Sequence, residues 1–290
     1  MDEIKDILLR TLTMRLTHSG MMFRIFGRTK TLRSLEHKMA MKGEKYLNGD
    51  RKIQDVIGLR IVLYFVEDVE ALEMYLCDNE LVSRSVDDLD PTTFRPHRLN
   101  LVKRLPQKYV SRFKESLPAE YAQYIDDTYE IQIRTVFSEG WHEVEHDLRY
   151  KCKDDWSGCD VYSRQMNGIL ATLEAAQWSM SAIFREMSRR NLSLNNYNAM
   201  MRNKLMLRFA DDGFSPKVSD YLDSHPDIAR RLYETDRIVL LITLLNHSKS
   251  ITLTYDNVLF LINRFDIMDE GINNLESPEV RNLINDFLNV

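Results

Sequence analysis

The stretch Tyr129-Glu130-Ile131-Gln132-Ile133-Arg134-Thr135, followed by Trp141-His142-Glu143-Val144-Glu145-His146 and then Tyr150-Lys151, decides how the chain is read. Its first part alternates strictly. Tyr129, Ile131 and Ile133 point one way along an extended chain, and Glu130, Gln132 and Arg134 point the other. Such a strand holds an acid, an amide and a guanidinium over a cleft, with apolar residues behind. The second part has helical spacing, with Trp141, Glu145 and Leu148 close to one face and His142, His146 and Arg149 on the adjoining one. On periodicity alone a solvated strand edge and an ordinary amphipathic helix is the simpler reading, so the surrounding sequence must decide.

The chain has 290 residues, enough for one large core or two domains. Its composition, 44% hydrophobic and 29% charged with few Gly and Pro, is that of a globular protein. No apolar run approaches a transmembrane helix, and the N-terminus lacks a signal peptide's apolar core and cleavage site, so no membrane association is expected. Cys77, Cys152 and Cys159 form neither a disulfide framework nor a CxxC pair, which suits a reducing cytoplasm. A net charge of −5 argues against a generic nucleic-acid coat protein. Basic residues nevertheless concentrate from Arg24 to Lys52, a pattern that fits either a phosphate-bearing ligand or a solvated helix face.

In chain order, Ile4, Ile7, Leu8, Leu12 and Leu16 predict a helix from Asp2 to His18, broken by Ser19-Gly20. Phe23 to Phe26 reads as a short strand leading into Gly27-Arg28-Thr29-Lys30, and Thr31 to about Tyr46 as a helix. Arg28 and Lys30 then sit on the loop feeding that helix, with Ser34 and Lys38 on one of its faces; a helix start so equipped is a ready phosphate site. After the turn Asn48-Gly49-Asp50, the run from Ile53 to Phe65 reads as a buried strand interrupted by Asp55 and Arg60. Two buried charges in a strand are either paired with each other or functional, and Gly58 between them permits close backbone approach. A helix (Val69 to Asn79), a strand (Leu81 to Val86), a loop (Asp87 to Pro96), a strand (Arg98 to Arg104) and a polar helical stretch (Pro106 to Tyr124) lead back to the opening motif.

From Val161 to Met187 the residues Met166, Leu170, Leu173, Ala176, Met180, Ile183 and Met187 recur at helical steps and are expected to be core. Asn191 to Asn198 is a polar break, so domains are expected at residues 1–190 and 191–290. The second reads as helices, with start signals at Ser215-Pro216, His225-Pro226-Asp227 and Ser277-Pro278-Glu279.

His142-Glu143-Val144-Glu145-His146 satisfies HExxH, which on a helix presents two zinc ligands and a general base. That reading is rejected: the pattern is short, no third ligand follows at a zincin-like spacing, and it leaves the carboxylate strand and the basic segment unexplained.

With these residues assembled, the chain resembles the synthetase domain of the RelA/SpoT family, in particular the stand-alone small alarmone synthetases. The resemblance runs from about Arg24 to Lys151 and is carried by GRTK with Ser34 and Lys38, DVIGLRI, a divergent FRPHR, EIQIRT and WHEVEHDLRYK. It implies an α+β fold, a polymerase-beta-like nucleotidyltransferase mixed sheet flanked by helices, here followed by an all-α C-terminal region. It further implies transfer of the β,γ-pyrophosphate of ATP to the ribose 3′-hydroxyl of GDP or GTP, giving (p)ppGpp and AMP, in a cytoplasmic enzyme that uses Mg2+. Homo-oligomers are common in the family.

By position, the resemblance assigns Arg28 and Arg60 to the two faces of the adenine, and Lys30, Ser34 and Lys38 to the phosphates. Asp55 and Glu130 are the magnesium and catalytic carboxylates, with Gln132 and Arg134 supporting the same cleft. Phe94, Arg95 and Arg98, with Glu145, His146, Arg149, Tyr150 and Lys151 of the closing helix, fall on the acceptor side. The departures gather there. The family's GYRSxH reads Thr93-Phe94-Arg95-Pro96-His97-Arg98, and Arg149 stands where Asn usually precedes Tyr-Lys. The alternatives to a guanosine nucleotide acceptor are therefore the 3′ end of tRNA, as in toxic synthetases, or a relict domain that senses nucleotides without turnover.

Overall fold

A computed structural model describes residues 1–47, 51–86, 99–247 and 249–288. By chain contacts these form two compact units. One comprises Met1–Thr13, Phe23–Tyr64 and Leu76–Ala175, and the other Met14–Met22, Phe65–Tyr75 and Ala176–Val290. The expected single cut at 190/191 thus differs from the observed division, in which residues 14–22 and 65–75 group with the C-terminal part.

The first unit carries a five-stranded sheet. Its strands are β1 (Phe23–Thr29), β2 (Ile57–Leu63), β3 (Leu81–Val86), β4 (Leu99–Arg104) and β5 (Thr128–Thr135), in the order β1-β2-β5-β4-β3. The β2–β5 pair is parallel and the other pairs are antiparallel, so the sheet is mixed. Helices α1 (Asp2–His18), α2 (Leu32–Leu47), α3 (Asp68–Leu76), α4 (Gln107–Glu115), α5 (Val136–Glu145) and α6 (Asp160–Ser193) come before, between and after the strands in the chain. The division between units falls within α1 and α6.

Strand alternation builds two unlike faces. On one, Ile57, Leu59, Ile61 and Leu63 of β2, Ile131 and Ile133 of β5 and Leu99 and Leu101 of β4 are buried, together with Val110 and Phe113 of α4. At Gly27 the chain needs the missing side chain, because a Cβ there would lie 3.2 Å from both Leu59 Cδ2 and Lys5 Cγ of α1. The opposite face carries Phe26 and Arg28, Gly58 and Arg60, and Glu130, Gln132 and Arg134.

Several expected bounds shift. β1 runs through Gly27-Arg28-Thr29, so Arg28 lies in a strand and only Lys30 and Thr31 link it to α2. Pairing with β2 supplies the hydrogen bonds that hold β1 extended this far. The apolar run from Ile53 is strand only from Ile57; Ile53 itself forms a lone parallel bridge with Ile125. Of residues 106–124 only Gln107–Glu115 and a short 3-10 turn, Ala122–Tyr124, are helical. The stripe on α6 is not core within this chain. Leu170 is buried, but Ile183 and Met187 are 59% and 45% exposed, and Ser181 and Ser188 are the buried residues further along the helix.

The second unit is helical: α7 (Tyr197–Leu205), α8 (Pro216–Ser224), α9 (Pro226–Glu234), α10 (Arg237–Asn246), α11 (Tyr255–Ile262), α12 (Glu270–Leu275) and α13 (Pro278–Leu288). Pro216 and Pro226 open their helices as expected. Ser277 Oγ accepts from Val280 N at 3.3 Å, whereas Ser215 makes no side-chain cap bond. The apolar runs Ile238–Leu245 and Val258–Ile262, which the sequence allows as buried helices or short strands with helices favoured, are helical, and Leu240, Leu241, Leu244, Leu245 and Val258 to Ile262 are buried.

One ion pair in this unit is fully buried. Arg237 at the start of α10 donates through Nη1 to Asp68 of α3 and through Nε to the Leu205 carbonyl at 2.5 Å. Asp68 is 0% exposed. A buried pair is costly to break because the remaining charge is stranded, whereas apolar replacement of both members is tolerated. Arg237→Met should therefore destabilise the protein by about 3–5 kcal/mol, and adding Asp68→Leu should recover most of that loss in denaturant unfolding. Equal loss in the single and double variants would show that the charge is not what matters.

Candidate active site

β5 is the spine of the site. Its parallel register with β2 sets Glu130 beside Gly58 and Gln132 beside Arg60, and its antiparallel register with β4 sets Gln132 beside Asn100. Arg60 Nε donates to Gln132 Oε1 at 3.0 Å, and Gln132 Nε2 donates to Glu130 Oε2 at 2.8 Å. The amide therefore links the guanidinium to the carboxylate and is oriented by both. Further along, Arg134 is buried and donates to the carbonyls of Leu99 and Ile133 and to Asn100 Oδ1. It braces the β5–β4 edge of this face.

The chain leaves β5 through a capping box. Thr135 Oγ1 accepts from Ser138 N, and Ser138 Oγ accepts from Thr135 N at 3.0 Å. This start fixes the direction of α5, on which Glu139 and Glu143, four residues apart, share a face. Both reach Arg60: its Nη1 donates to Glu139 Oε1 at 2.7 Å and also to Glu143. Burial opposes the charge on Arg60, but the two glutamates outweigh it and hold its pKa above the usual value.

Asp55 has other partners. Lys30 Nζ and Lys38 Nζ donate to its two carboxylate oxygens at 2.7 and 2.8 Å. The alternative of an Asp55–Arg60 ion pair is thereby overturned, since each charge is matched by a different element. Burial pushes the Asp55 carboxyl up, yet the two ammoniums prevail and its pKa lies below the ordinary value. Burial lowers Lys30 despite Asp55, while on Lys38 the carboxylate, with Tyr46 assisting, overcomes burial and raises the pKa. Ser34, in the first turn of α2, shares a hydrogen bond with Thr31 Oγ1 at 2.9 Å. Thr31 also accepts from Ser34 N, so this helix start already has a cap.

Between β1, β2 and α5 lies a cavity of about 450 Å³, lined by Phe26, Arg28, Arg60, Gln132, Glu139 and Glu143, with His146, Asp147 and Lys151 on the far side. It brings together Arg28, Arg60, Gln132, His146 and Lys151 of the expected residues. Phe26, Glu139, Glu143 and Asp147 join them unforeseen, although the four-residue spacing of the two glutamates on a helix beside a buried arginine was a usable signal. Lys151 donates to Asp147 at 2.7 Å, and His146 bonds the same carboxylate while stacking on Tyr150.

Glu145, Arg149 and Tyr150 are outside this lining. The helix passes into a π-helical turn at His146–Tyr150. Arg149 there donates to Glu145, to the Ser163 carbonyl and to Asn167 Oδ1, with the rings of Trp141 and Trp156 at 5.6 and 5.9 Å. Its donors are committed to packing against α6. Phe94, Arg95 and Arg98 lie outside the described residues.

Among the described residues no group of three or more His, Cys, Asp and Glu is arranged to hold a metal ion. Of the HExxH pair, His142 is buried, its ring 5.8 Å from that of His146. For Mg2+ the requirement is lighter, because that ion keeps several waters and takes one or two carboxylates together with substrate phosphates. Asp55 and Glu130 have the carboxylate chemistry for such a site, and both oxygens of Asp55 already accept from Lys30 and Lys38, which a bound cation would have to displace.

Residues 27–155 match the model of the region found in RelA / SpoT proteins. The chain is 27% identical over 136 residues to the GTP pyrophosphokinase YwaC of Bacillus subtilis (strain 168), a match covering 44% of this chain and 59% of that protein. Among solved structures, a GTP pyrophosphokinase family protein from Streptococcus pneumoniae is 22% identical, with a TM-score of 0.46 over 63% of this chain and 86% of that one. Small alarmone synthetase 1 from Bacillus subtilis bound to its product pppGpp is 25% identical, with a TM-score of 0.42 over 63% and 89%. The matched residues 27–155 include β2, β5 and α5 and the end of β1, so the match to the RelA/SpoT region takes in most of the cavity wall.

Proposed function

We propose that this region is a pyrophosphokinase that transfers the β,γ-pyrophosphoryl group of ATP to the ribose 3′-hydroxyl of GDP or GTP. The observation that carries the reading is the convergence of Lys30 and Lys38 on Asp55, beside a strand that presents Glu130. Two ammoniums on one carboxylate form a cation cluster with one positive charge in excess, which a triphosphate can engage by exchange rather than by desolvating bare lysines.

In this reading the triphosphate lies along Lys30, Lys38 and Ser34, and the adenine lies at the cavity between Arg28 and Arg60. The acceptor O3′ forms a bond to the β-phosphorus, the bond from that phosphorus to the α-phosphate oxygen breaks, and the electron pair leaves with AMP. Glu130, held by Gln132, takes the 3′-hydroxyl proton. Asp55 and Glu130 would hold Mg2+, which when bound offsets the phosphate charge. His146 and Lys151 border the acceptor side, with Glu145, Arg149 and Tyr150 supporting that wall. The same reading implies a cytoplasmic enzyme, and the exposed apolar side chains of Ile169, Ile183 and Met187 along α6 are in keeping with a homo-oligomer.

The departures at residues 93–98 make the acceptor the question to test. Incubated with γ-labelled ATP and Mg2+, the protein should move label into GDP or GTP and release AMP, and Glu130→Ala should slow transfer about a hundredfold or more. Label in deacylated tRNA instead would assign the tRNA 3′ end as acceptor. Absence of label from every acceptor, with ATP still bound, would leave only a nucleotide sensor.

Asp55 makes a second prediction. Its folded pKa is depressed, so its contribution to stability is present above the ordinary carboxylate pKa of about 4 and is lost as pH falls through the folded value. Asp55→Asn should therefore lose less stability than wild type between about pH 4.5 and pH 3, as read from denaturant midpoints.

A further inference from the structure

The helix that closes the cavity changes its winding where it reaches the acceptor end. Val136–Glu145 is regular, and His146–Tyr150 forms a π-helical turn in which the Lys151 N–H donates to the His146 carbonyl at 3.1 Å. Such a turn holds one residue more than an α-helical turn, so each later side chain reaches a given helix face one position late. Glu143 faces the cavity. In an unbroken α-helix the residue two turns on, about seven positions along, would be Tyr150; with the added residue it is Lys151. The side chains show that exchange, since Lys151 lines the cavity while Tyr150 is outside it and 53% exposed. The exchange also sets the charge of the lining. Arg28, Arg60 and Lys151 balance Glu139, Glu143 and Asp147. A tyrosine in place of Lys151 would leave one carboxylate in excess, which opposes any phosphate-bearing ligand.

The turn is held by side chains that lie behind the cavity wall. Arg149 donates to Glu145 Oε1 and, across to α6, to the Ser163 carbonyl at 3.3 Å and Asn167 Oδ1 at 3.1 Å. The rings of Trp141 and Trp156 lie beside its guanidinium at 5.6 and 5.9 Å. Each indole is itself anchored: Trp141 Nε1 donates to the Met166 carbonyl of α6 at 3.0 Å, and Trp156 Nε1 reaches back to the Leu148 carbonyl of the turn at 2.7 Å. We propose that Arg149 and Trp156 are positioning residues: by fixing the π-helical turn against α6 they put Lys151, rather than Tyr150, at the acceptor end of the cavity. The inference rests on the proposed reaction for the role of Lys151 as a cation facing the acceptor's phosphates. It adds two residues that touch no substrate and act through the winding of one helix.

The test uses two substitutions that remove donors and keep bulk. Arg149→Met keeps the apolar stem, and Trp156→Phe keeps an aromatic ring without the N–H that reaches Leu148. Each should raise the KM for GDP about tenfold, the scale of one lost charge-assisted hydrogen bond, and leave the KM for ATP within about twofold. Lys151→Ala should raise the KM for GDP by itself, and adding either substitution to it should raise it no further, because the cation they position is already gone. Crystal structures of the variants should show the helix continuing as α-helix with Tyr150 turned into the cavity. Trp156→Phe decides the matter if Arg149→Met fails to fold. Losses that add to that of Lys151→Ala, or a π-helical turn that survives both substitutions, would overturn the positioning role and leave the pyrophosphokinase reading in place. A wild-type protein that moves no label to GDP or GTP would remove that reading, and the winding of the helix in the variant structures would then decide the positioning role alone.

Discussion

The parallel register of β2 against β5 is the constraint on which the site depends. It sets Arg60 beside Gln132 and Gly58 beside Glu130, and it puts Arg60, Glu130, Gln132 and Arg134 on one face. A slip of one residue would send Leu59 and Ile61 to the cleft and Arg60 and Gln132 into the core, so burial of the apolar face enforces the polar one. The geometry of the cleft and the stability of the sheet are thus the same requirement here. The sheet cannot relax its register without burying a guanidinium.

That coupling explains why α5 belongs to the site. A buried or half-buried arginine must be matched by acceptors, and the sheet alone supplies only the Gln132 amide. The Nη1 of Arg60 is met from α5, whose direction is set by the Thr135–Ser138 capping box immediately after β5. One short stretch, residues 128–145, therefore supplies the strand that carries Glu130 and Gln132, the turn and the helix that matches Arg60's charge. Substitutions in the capping box would act on the site through helix direction rather than through chemistry.

Much of this was readable from residue order. The alternation of Glu130, Gln132 and Arg134 named a strand and its polar face, and the apolar run around Arg60 named the buried neighbour. Proline placement found the starts of α8, α9 and α13. What sequence could not supply were partners chosen by tertiary approach. Asp55 and Arg60 lie in one run and invite pairing with each other, but Lys30 of the β1–α2 link and Lys38 of α2 take Asp55, and Glu139 of α5 takes Arg60. The position of Arg149 escaped for a different reason. A π-helical turn adds a residue to the helical period, so faces extrapolated from Trp141 and His142 drift out of phase beyond His146. For α6, periodicity located an apolar stripe but says nothing of what covers it, and within one chain much of it stays exposed.

The two lysines on Asp55 are not equivalent, and the difference bears on how the site meets an anion. Burial lowers Lys30 even with the carboxylate present, whereas Lys38, aided by Tyr46, is raised. The charge on Lys30 is thus the less secure of the two. An anion brought beside Lys30 adds negative potential where one carboxylate is shared between two ammoniums, and so favours its protonated form. By linkage, anion binding at this cluster and proton binding at Lys30 reinforce each other.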